Sequence, residues 1–234
     1  MLWDYIKGEL NMKSKLAFTA LLKFLAGLII CAAAIFLPSG SLNFFGGWLF
    51  MGVLFIPMLI MGIVLLAKAP SLLEKRLNSK EEQPEQKKVV ALGAAMFLLG
   101  FIISGVCFRF EILVLPKWLS IAAAVVFLAG YAMYAEVMRE NAYLSRTVEV
   151  QNGQKVIDTG LYGIVRHPMY TATILMFLSI PFILGSAIAV TAFITYPFLT
   201  VLRIDNEEIV LEHDLKGYTE YKSKVKYRLI PFIW

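Results

Sequence analysis

Four long apolar segments constrain the fold of this chain more than any other feature. They are Leu16 to Leu37, Phe44 to Ala67, Val89 to Phe108 and Trp118 to Val137, and they contain almost no charged residue. Each has about the 20 residues that a helix needs to cross ~30 Å of hydrocarbon. With 59% hydrophobic residues and a mean hydropathy of +0.72, the chain is more apolar than a soluble domain. The sequence therefore predicts an all-α integral membrane protein.

Two shorter apolar segments follow, Tyr170 to Leu184 and Ala187 to Leu202, with only Gly185 and Ser186 between them. At about 1.5 Å per residue, the first reaches about 22 Å. This pattern predicts a short helical hairpin, which brings the expected number of membrane helices to about six. We expect an N-terminal membrane region at residues 1–138, and a second region at residues 139–234 with a cytosolic loop, the hairpin and a cytosolic C-terminal helix.

The basic residues are distributed unevenly along the chain. Of the 22 Lys and Arg residues, all but Lys23, Arg109 and Lys117 fall in segments that this topology places on one side. Because cytoplasmic loops collect Lys and Arg, we expect both termini in the cytoplasm, with the protein in the cell membrane of a prokaryote or the endoplasmic reticulum of a eukaryote. The net charge of +5 follows from this asymmetry and gives no reason to expect nucleic-acid binding.

The N-terminal segment predicts an interfacial helix. Trp3, Ile6 and Leu10 recur at helical spacing beside charged residues, as in helices that lie in the headgroup region. Met1 to Lys15 also lacks the apolar core and cleavage site of a signal peptide, so we expect it to stay attached.

Several local signals in the first half predict packing rather than chemistry. Ser71 and Glu74 have the spacing of a capping box that begins a short helix. Cys31 and Cys107 lie inside apolar runs and are expected to be packing residues, so no metal site follows from them. Four glycines predict close helix approach: Gly46, Gly47, Gly52 and Gly100.

The second region is more polar. Residues 148–157 alternate around Gln151-Asn152-Gly153-Gln154, which predicts a turn with strand-like pairing in a small ordered cytosolic insert. Gly217 is a predicted helix C-cap. Tyr218 to Tyr227 alternates aromatic and basic residues, as is typical of the headgroup region.

Arg166 and His167 stand before Pro168, where a loop becomes a helix. Free N–H groups and the positive end of a helix favour an anion there. The alternative is that Arg166 contacts lipid phosphates and His167 only caps the helix.

Arg203 precedes Glu207 by four residues, so the two share one helix face. Glu208 follows directly. The alternatives are that Glu207 and Glu208 are a solvated acidic pair at a helix end, or that Arg203 and Glu207 form an ordinary ion pair. His213 is expected to be exposed. A ligand with a cation, a carboxylate and an aromatic ring would fit the whole pattern; S-adenosylmethionine has all three, as do other zwitterionic ligands.

These motifs resemble the isoprenylcysteine carboxyl methyltransferase family and the related membrane phospholipid methyltransferases. The resemblance runs from about Asn141 to Trp234 and is strongest in Thr159 to Tyr162, Arg166 to Tyr170, Arg203 with Glu207-Glu208, and Gly217 to Tyr221. It implies a helical membrane bundle that binds S-adenosylmethionine on the cytosolic side, which makes residues 139–234 the expected catalytic and cofactor-binding region. Ala172 departs from the Gly that relatives often have, but it is still small.

The resemblance implies cofactor contacts for residues of the motifs and of the preceding loop. They are Tyr162, His167, Pro168, Met169, Tyr170 and Glu207, with Gln151, Gln154, Lys155, Val156 and Ile157 in the loop. The charge pattern adds Arg166 and Glu208 to this site. Arg203 corresponds to an arginine expected to meet the carboxylate of the acceptor, and is the candidate catalytic residue.

Carboxyl O-methylation of a prenylcysteine or similar lipophilic acid is the favoured activity, because a guanidinium suits a carboxylate and opposes an ammonium. The expected partners are this lipophilic or prenylated substrate and membrane lipids. Phospholipid N-methylation, an NADPH-dependent sterol-type reductase and a non-enzymatic scaffold are the alternatives. No Gly-x-Gly-x-x-Gly run is present, so a Rossmann-type methyltransferase has no support.

Overall fold

The computed structural model describes residues 2–78, 81 and 83–234, and in this part of the chain it contains helices and no β-strand. The predicted all-α fold is confirmed. A 3₁₀ turn at Gly160–Gly163 lies between the fifth and sixth helices. The helices are α1 (Leu2–Ser39), α2 (Phe45–Lys68), α3 (Pro70–Leu77), α4 (Pro84–Arg109), α5 (Lys117–Glu140), α6 (Pro168–Ile183), α7 (Val190–Phe193), α8 (Tyr196–Asp214) and α9 (Tyr218–Lys224).

Four of these helices, α1, α2, α4 and α5, are long and apolar enough to cross a membrane. They coincide with the four predicted segments. Helix α6 is a shorter apolar helix of 16 residues. The second arm of the hairpin is divided between α7 and α8, so a total of six crossings stays a prediction.

Helix α1 is continuous from Leu2 to Ser39, so the N-terminal segment is joined to the first span in one helix, and its position in the interface stays a prediction. The side chains of Trp3, Ile6 and Leu10 lie outside the described residues. Lys23, expected inside the first span, donates a hydrogen bond from Nζ to the Leu77 carbonyl (2.6 Å). Lys23 is therefore level with the end of α3, on the same side as the other basic clusters.

The tip of the short hairpin reaches the end of the bundle opposite to α3. The Leu115 N–H donates to the Gly185 carbonyl (2.9 Å), and Val114 and Ser186 form an isolated antiparallel bridge. A Cβ on Gly46, at the start of α2, would lie 2.7 Å from the Ile183 carbonyl oxygen. The tip thus packs between the α4–α5 loop and the start of α2.

The register of α5 against α6 sets the depth of the hairpin. A Cβ on Gly130 would lie 2.9 Å from Met176 Cγ and 3.1 Å from the Ala172 carbonyl oxygen. Since the two helices are antiparallel, Tyr170 lies at about the level of Tyr134. The start of α6 is therefore recessed by about one turn, roughly 5 Å, below the end of α5.

Aromatic side chains fill the centre of the bundle. Phe50, Phe127 and Phe193 are almost fully buried, and a Cβ on Gly100 would lie 2.4 Å from the Phe193 ring. Close approach is thereby confirmed at Gly46, Gly47 and Gly100, but it is wrong for Gly52, which has nothing within 4 Å. Cys31 and Cys107 are buried as predicted.

Three local predictions need correction. Helix α3 begins at Pro70 after Ala69, without a side-chain cap, because proline itself begins the first turn in place of the Ser71 capping box. Gly217, at φ +91°, lies in the left-handed turn before α9, whereas the cap of α8 is Leu215. Residues 151–154 form the predicted turn, with Gln154 N–H donating to the Gln151 carbonyl (3.0 Å), but no strand flanks it.

Candidate functional site

A cleft lies at the end of the bundle where α6 begins. It is enclosed by the loop after α5, the start of α6, and helices α8 and α9. It encloses about 870 Å³ of space not filled by protein atoms, part of which is open solvent. Eleven of the predicted site residues line it: Gln154, Lys155, Val156, Ile157, Tyr162, Arg166, His167, Met169, Tyr170, Arg203 and Glu207.

The 3₁₀ turn positions Tyr162 at the wall of this cleft. Gly160 has φ +51°, and a Cβ there would lie 1.5 Å from Glu140 Oε1, so only glycine leaves room for the Glu140 carboxylate. Glu140 accepts a hydrogen bond from the Leu161 N–H (3.2 Å). Asn141 Nδ2 donates to the Tyr162 hydroxyl (2.9 Å). Burial raises the pKa of Tyr162, so its side chain is a neutral phenol at physiological pH.

The start of α6 is held by the C-terminal segment. The Arg166 N–H donates to the Tyr227 carbonyl and the His167 N–H donates to the Arg228 carbonyl, each at 2.9 Å. Arg166 Nη1 also donates to the carbonyls of Val225 and Lys226, both at 2.8 Å. The Arg166 side chain is buried and contacts protein groups, which argues against the alternative that it contacts lipid phosphates.

Glu208 lies at the centre of a cluster of cations. Its Oε1 accepts from Arg166 Nε (2.7 Å) and lies 3.1 Å from His167 Nε2. Its Oε2 accepts from Arg228 Nη2 (3.0 Å) and lies 3.4 Å from Lys222 Nζ. Burial alone raises the pKa of Glu208, but the hydrogen bonds from His167 and Arg166 outweigh it and hold the pKa well below its usual range.

This geometry separates three predicted residues from the cleft. Glu208 is only 2% exposed and is enclosed by its cations. Gln151 Nε2 donates to the Tyr143 carbonyl (2.7 Å) and its N–H donates to Gln154 Oε1 (2.9 Å), so it shapes the loop behind the lining. Pro168 is buried in the first turn of α6. We therefore propose supporting roles for these three side chains.

Glu207, Tyr170 and Arg203 form a hydrogen-bonded chain at the inner end of the cleft. The Tyr170 hydroxyl donates to Glu207 Oε2 (2.5 Å) and accepts from Arg203 Nε (2.9 Å). Arg203 Nη2 donates to the Arg146 carbonyl (2.6 Å) and lies 3.8 Å from Glu81 Oε2. Arg203 is one helical turn deeper than Glu207, so the chain of groups leads from the cleft toward the membrane.

Helix α9 contributes two tyrosines that the sequence reasoning assigned to the headgroup region. Tyr218 and Tyr221 are 4% and 5% exposed and both line the cleft. The Tyr221 hydroxyl donates to the Tyr162 carbonyl (2.7 Å), whereas the Tyr218 hydroxyl has no hydrogen-bond partner within the part of the chain that the structure describes. The i, i+3, i+7 spacing of Tyr218, Tyr221 and Val225 was the signal of a buried helix face.

Two further observations bear on the chemistry of this region. His213 is exposed, as predicted, and pairs with Asp214. Among the described residues no group of three His, Cys, Asp or Glu side chains is arranged to hold a metal ion. The titratable groups that line the cleft are phenols, an imidazole, the guanidiniums of Arg166 and Arg203, the carboxylates of Glu149 and Glu207, and the ammonium of Lys155.

Comparison with known proteins supports the interpretation of the motifs. The profile of the isoprenylcysteine carboxyl methyltransferase (ICMT) family matches residues 121–213, and no curated protein sequence matches significantly. A solved structure of the eukaryotic intramembrane Ras methyltransferase ICMT has a similar fold, with a TM-score of 0.56 and 18% identity over 99% of this chain and 85% of that chain. The resemblance predicted from the motifs is thus confirmed: residues 121–213 carry the sequence pattern of the ICMT family, on a fold that the chain shares with a solved ICMT.

Proposed function

We propose that the protein is a membrane methyltransferase that uses S-adenosylmethionine to methylate the carboxylate of a prenylcysteine or a similar lipophilic acid at the cytosolic membrane face. The observation that carries this proposal is the chain from Glu207 through the Tyr170 hydroxyl to Arg203. Glu207 borders a polar cleft that is open to solvent. Arg203, at the other end of the chain of groups, is a cation one helical turn closer to the hydrocarbon. Such a site lets a polar donor and a lipophilic acid meet from opposite sides.

The residues of the cleft fit S-adenosylmethionine. The buried Tyr218 hydroxyl lacks a partner in the described structure, and a buried hydroxyl without one costs about 1–3 kcal/mol, so a ligand group that bonds it is favoured. Glu207 uses Oε2 for Tyr170 and offers its other oxygen to an ammonium. Tyr162 and Tyr221 offer aromatic faces to the adenine or the sulfonium.

The reaction assigns a simple task to the side chains. The sulfonium supplies the methyl group when the donor is bound; an O–CH₃ bond to the acceptor carboxylate forms as the S–CH₃ bond breaks, and no proton has to move. Arg203 would orient the carboxylate, and its guanidinium is fixed by Tyr170 and by the Arg146 carbonyl. Orientation of two reactants alone is worth about 7–11 kcal/mol of the barrier.

The position of Arg203 favours a carboxylate over an amine acceptor. An ammonium near this guanidinium would be repelled and would also need a base to remove its proton. The inner end of the cleft is largely buried, since Tyr170 is 5% exposed and the Arg203 side chain 17% exposed, and a dry site replaces the hydration shell of the carboxylate with fixed protein groups. Both effects favour O-methylation of a lipophilic acid.

A radiolabelled methyl-transfer assay on purified protein tests this function. The acceptors are a panel of prenylcysteine acids and phosphatidylethanolamine, and we expect label only in the acids. Transfer to phosphatidylethanolamine alone would overturn the proposed acceptor. A parallel titration compares S-adenosylmethionine with NADPH by thermal stabilisation; stabilisation by NADPH alone would indicate a reductase, and stabilisation by neither would indicate a scaffold.

A further inference from the structure

Arg76 on α3 is a second guanidinium near Tyr170, in a part of the chain where the sequence indicated only packing. Its Nη1 donates to the Ser145 carbonyl (3.1 Å), it hydrogen-bonds the Tyr134 hydroxyl, and its Cζ lies 5.4 Å from the centre of the Tyr134 ring. In the part of the chain that the structure describes, no acidic side chain contacts it. Arg76 is thus a partly buried cation held by neutral groups.

Arg76 and Arg203 are held by consecutive peptide groups. Arg76 donates to the carbonyl of Ser145 and Arg203 to the carbonyl of Arg146. Since consecutive Cα atoms are about 3.8 Å apart, the two guanidiniums lie within roughly 10 Å of each other. The register of α5 against α6 also brings Tyr134, and Arg76 with it, to about the level of Tyr170. Both cations therefore lie at the depth of the inner end of the cleft, which Arg203 lines.

The electrostatic environment of Arg76 favours an anion. Burial, followed by the charges of Arg146 and Arg203, lowers the pKa of Arg76 to about 10, whereas Arg203 has the Glu81 carboxylate 3.8 Å away. Like charges at the edge of a low-dielectric region repel each other unless an anion lies near them. An acid whose tail remains in the bilayer would bring one carboxylate to this place.

We propose that Arg76, together with Arg203, binds the anionic end of the lipophilic acceptor. The proposal rests on the proposed function for the identity of the acceptor, but the anion site itself rests on the two guanidiniums. Arg76 is then a positioning residue supplied by the N-terminal region. It would set the preference for an acid over an uncharged analogue of the same tail.

A purely structural role for Arg76 makes a different prediction, and the chain offers a matched control. Lys75, its neighbour on α3, donates from Nζ to the Ala142 carbonyl (3.3 Å) in the same loop and lies over the Tyr143 ring. Both side chains therefore connect α3 to the loop after α5. If Arg76 does no more than this, Arg76→Gln and Lys75→Gln will have the same effects.

The test measures binding of N-acetyl-S-farnesylcysteine and of its uncharged carboxamide to the purified protein, without a methyl donor. Arg76→Gln should weaken binding of the acid about tenfold, the loss of one hydrogen bond to a charged group, and leave the carboxamide and S-adenosylmethionine affinities unchanged. Lys75→Gln should leave all three unchanged. If Arg76→Gln does not fold, Arg76→Lys takes its place. This variant should lower the ratio of the acid affinity to the carboxamide affinity, but by less than tenfold, since lysine keeps the charge but not the planar geometry.

The outcomes separate this proposal from the proposed function. Equal losses for acid and carboxamide, or equal effects of the Arg76 and Lys75 variants, would overturn the anion site. If the wild type transfers methyl groups and Arg76→Gln has the same KM for the acid, the anion site would also be overturned, and the proposed function would stand. Acid-selective binding that depends on Arg76, without any methyl transfer, would support the anion site and overturn the proposed function.

Discussion

Glu207 and Glu208 are neighbours in the sequence but have opposite environments. Successive residues of a helix point about 100° apart, so one carboxylate borders the cleft and the other lies among Arg166, His167 and Arg228. Glu207 is therefore available to a ligand, whereas Glu208 stabilises the junction of α6, α8 and the C-terminal segment.

Glu208→Gln should destabilise the protein strongly, by about 3–5 kcal/mol, because it leaves buried cations without their counter-charge. Since the folded pKa of Glu208 is depressed, its stabilisation is fully present above the unfolded pKa of about 4.3 and is lost as the pH falls through the folded pKa. Thermal unfolding of wild type and variant in detergent should show a large Tm difference at pH 7 that narrows below about pH 4.

The matched control for this prediction is Glu212→Gln, one turn further along α8. Glu212 pairs with Lys222, but both side chains are more than a third exposed. Exposed ion pairs contribute about 0–1 kcal/mol, so this variant should differ little from wild type. A Tm for Glu208→Gln equal to that of Glu212→Gln would contradict the buried cluster.

Tyr218→Phe should have opposite effects on the free protein and on ligand binding. In the absence of ligand it removes a buried hydroxyl that has no partner in the described structure, so the Tm should stay the same or rise. If the hydroxyl bonds S-adenosylmethionine, its removal should weaken binding by about 0.5–1.5 kcal/mol, up to roughly tenfold. Isothermal titration measures the affinity; unchanged binding would remove Tyr218 from the site.

Residues in contiguous motifs could be predicted from the sequence, and residues brought in from elsewhere could not. His167 and Glu207 stand out in the sequence because Pro168 marks a helix start and the i, i+4 spacing of Arg203 and Glu207 marks a helix face, whereas Tyr170 and the cofactor roles came from the family resemblance. Arg76 was missed because a basic residue in a polar segment has the same local pattern whether it is solvated or buried, and only the packing of α3 against the loop after α5 decides between these cases. Tyr218 was assigned to the headgroup region although its spacing with Tyr221 and Val225 indicates a buried helix face.

At the scale of elements, the long apolar segments predict where the long helices lie in the sequence, but not how closely these helices approach their neighbours. Gly46 and Gly52 are both in α2 and look equivalent in the sequence. A Cβ on Gly46 would meet backbone atoms of Ile183 and Leu184, whereas a Cβ on Gly52 would meet nothing within 4 Å. The docking of the hairpin tip makes the difference.

Gly46→Ala should therefore destabilise the protein by about 1–3 kcal/mol, because backbone atoms cannot move aside as a flexible side chain would. Gly52→Ala should be neutral or slightly stabilising, since alanine favours a helix over glycine by up to about 1 kcal/mol. Thermal unfolding of both variants in the same detergent measures the difference. Equal Tm values would indicate that the tip is not docked on α2.

At the scale of the whole molecule, the two ends of the bundle differ in charge and in content. One end has the α4–α5 loop, the hairpin tip and the start of α2, with Arg109 and Lys117 as its basic residues. The other has the cleft and the remaining Lys and Arg residues of the described chain. If positive charge faces the cytoplasm, the cleft does too.

Labelling of single cysteines in intact cells tests this orientation. Cys31 and Cys107 are buried, so they should react little with a membrane-impermeant maleimide. Glu111→Cys, exposed in the α4–α5 loop, should be labelled from outside, whereas Asn152→Cys, exposed beside the cleft, should be labelled only after permeabilisation. The reverse pattern would place the cleft outside the cytoplasm.

The bonds from Arg166 to the carbonyls of Val225 and Lys226 have a consequence for biosynthesis. Arg166 is separated from these partners by 59 and 60 residues. The C-terminal segment must therefore be synthesised before the Arg166 side chain can form these hydrogen bonds. The long helices can enter the bilayer earlier, since their backbone bonds are local. A nascent chain that stalls short of Val225 would thus have an Arg166 without these two carbonyl partners.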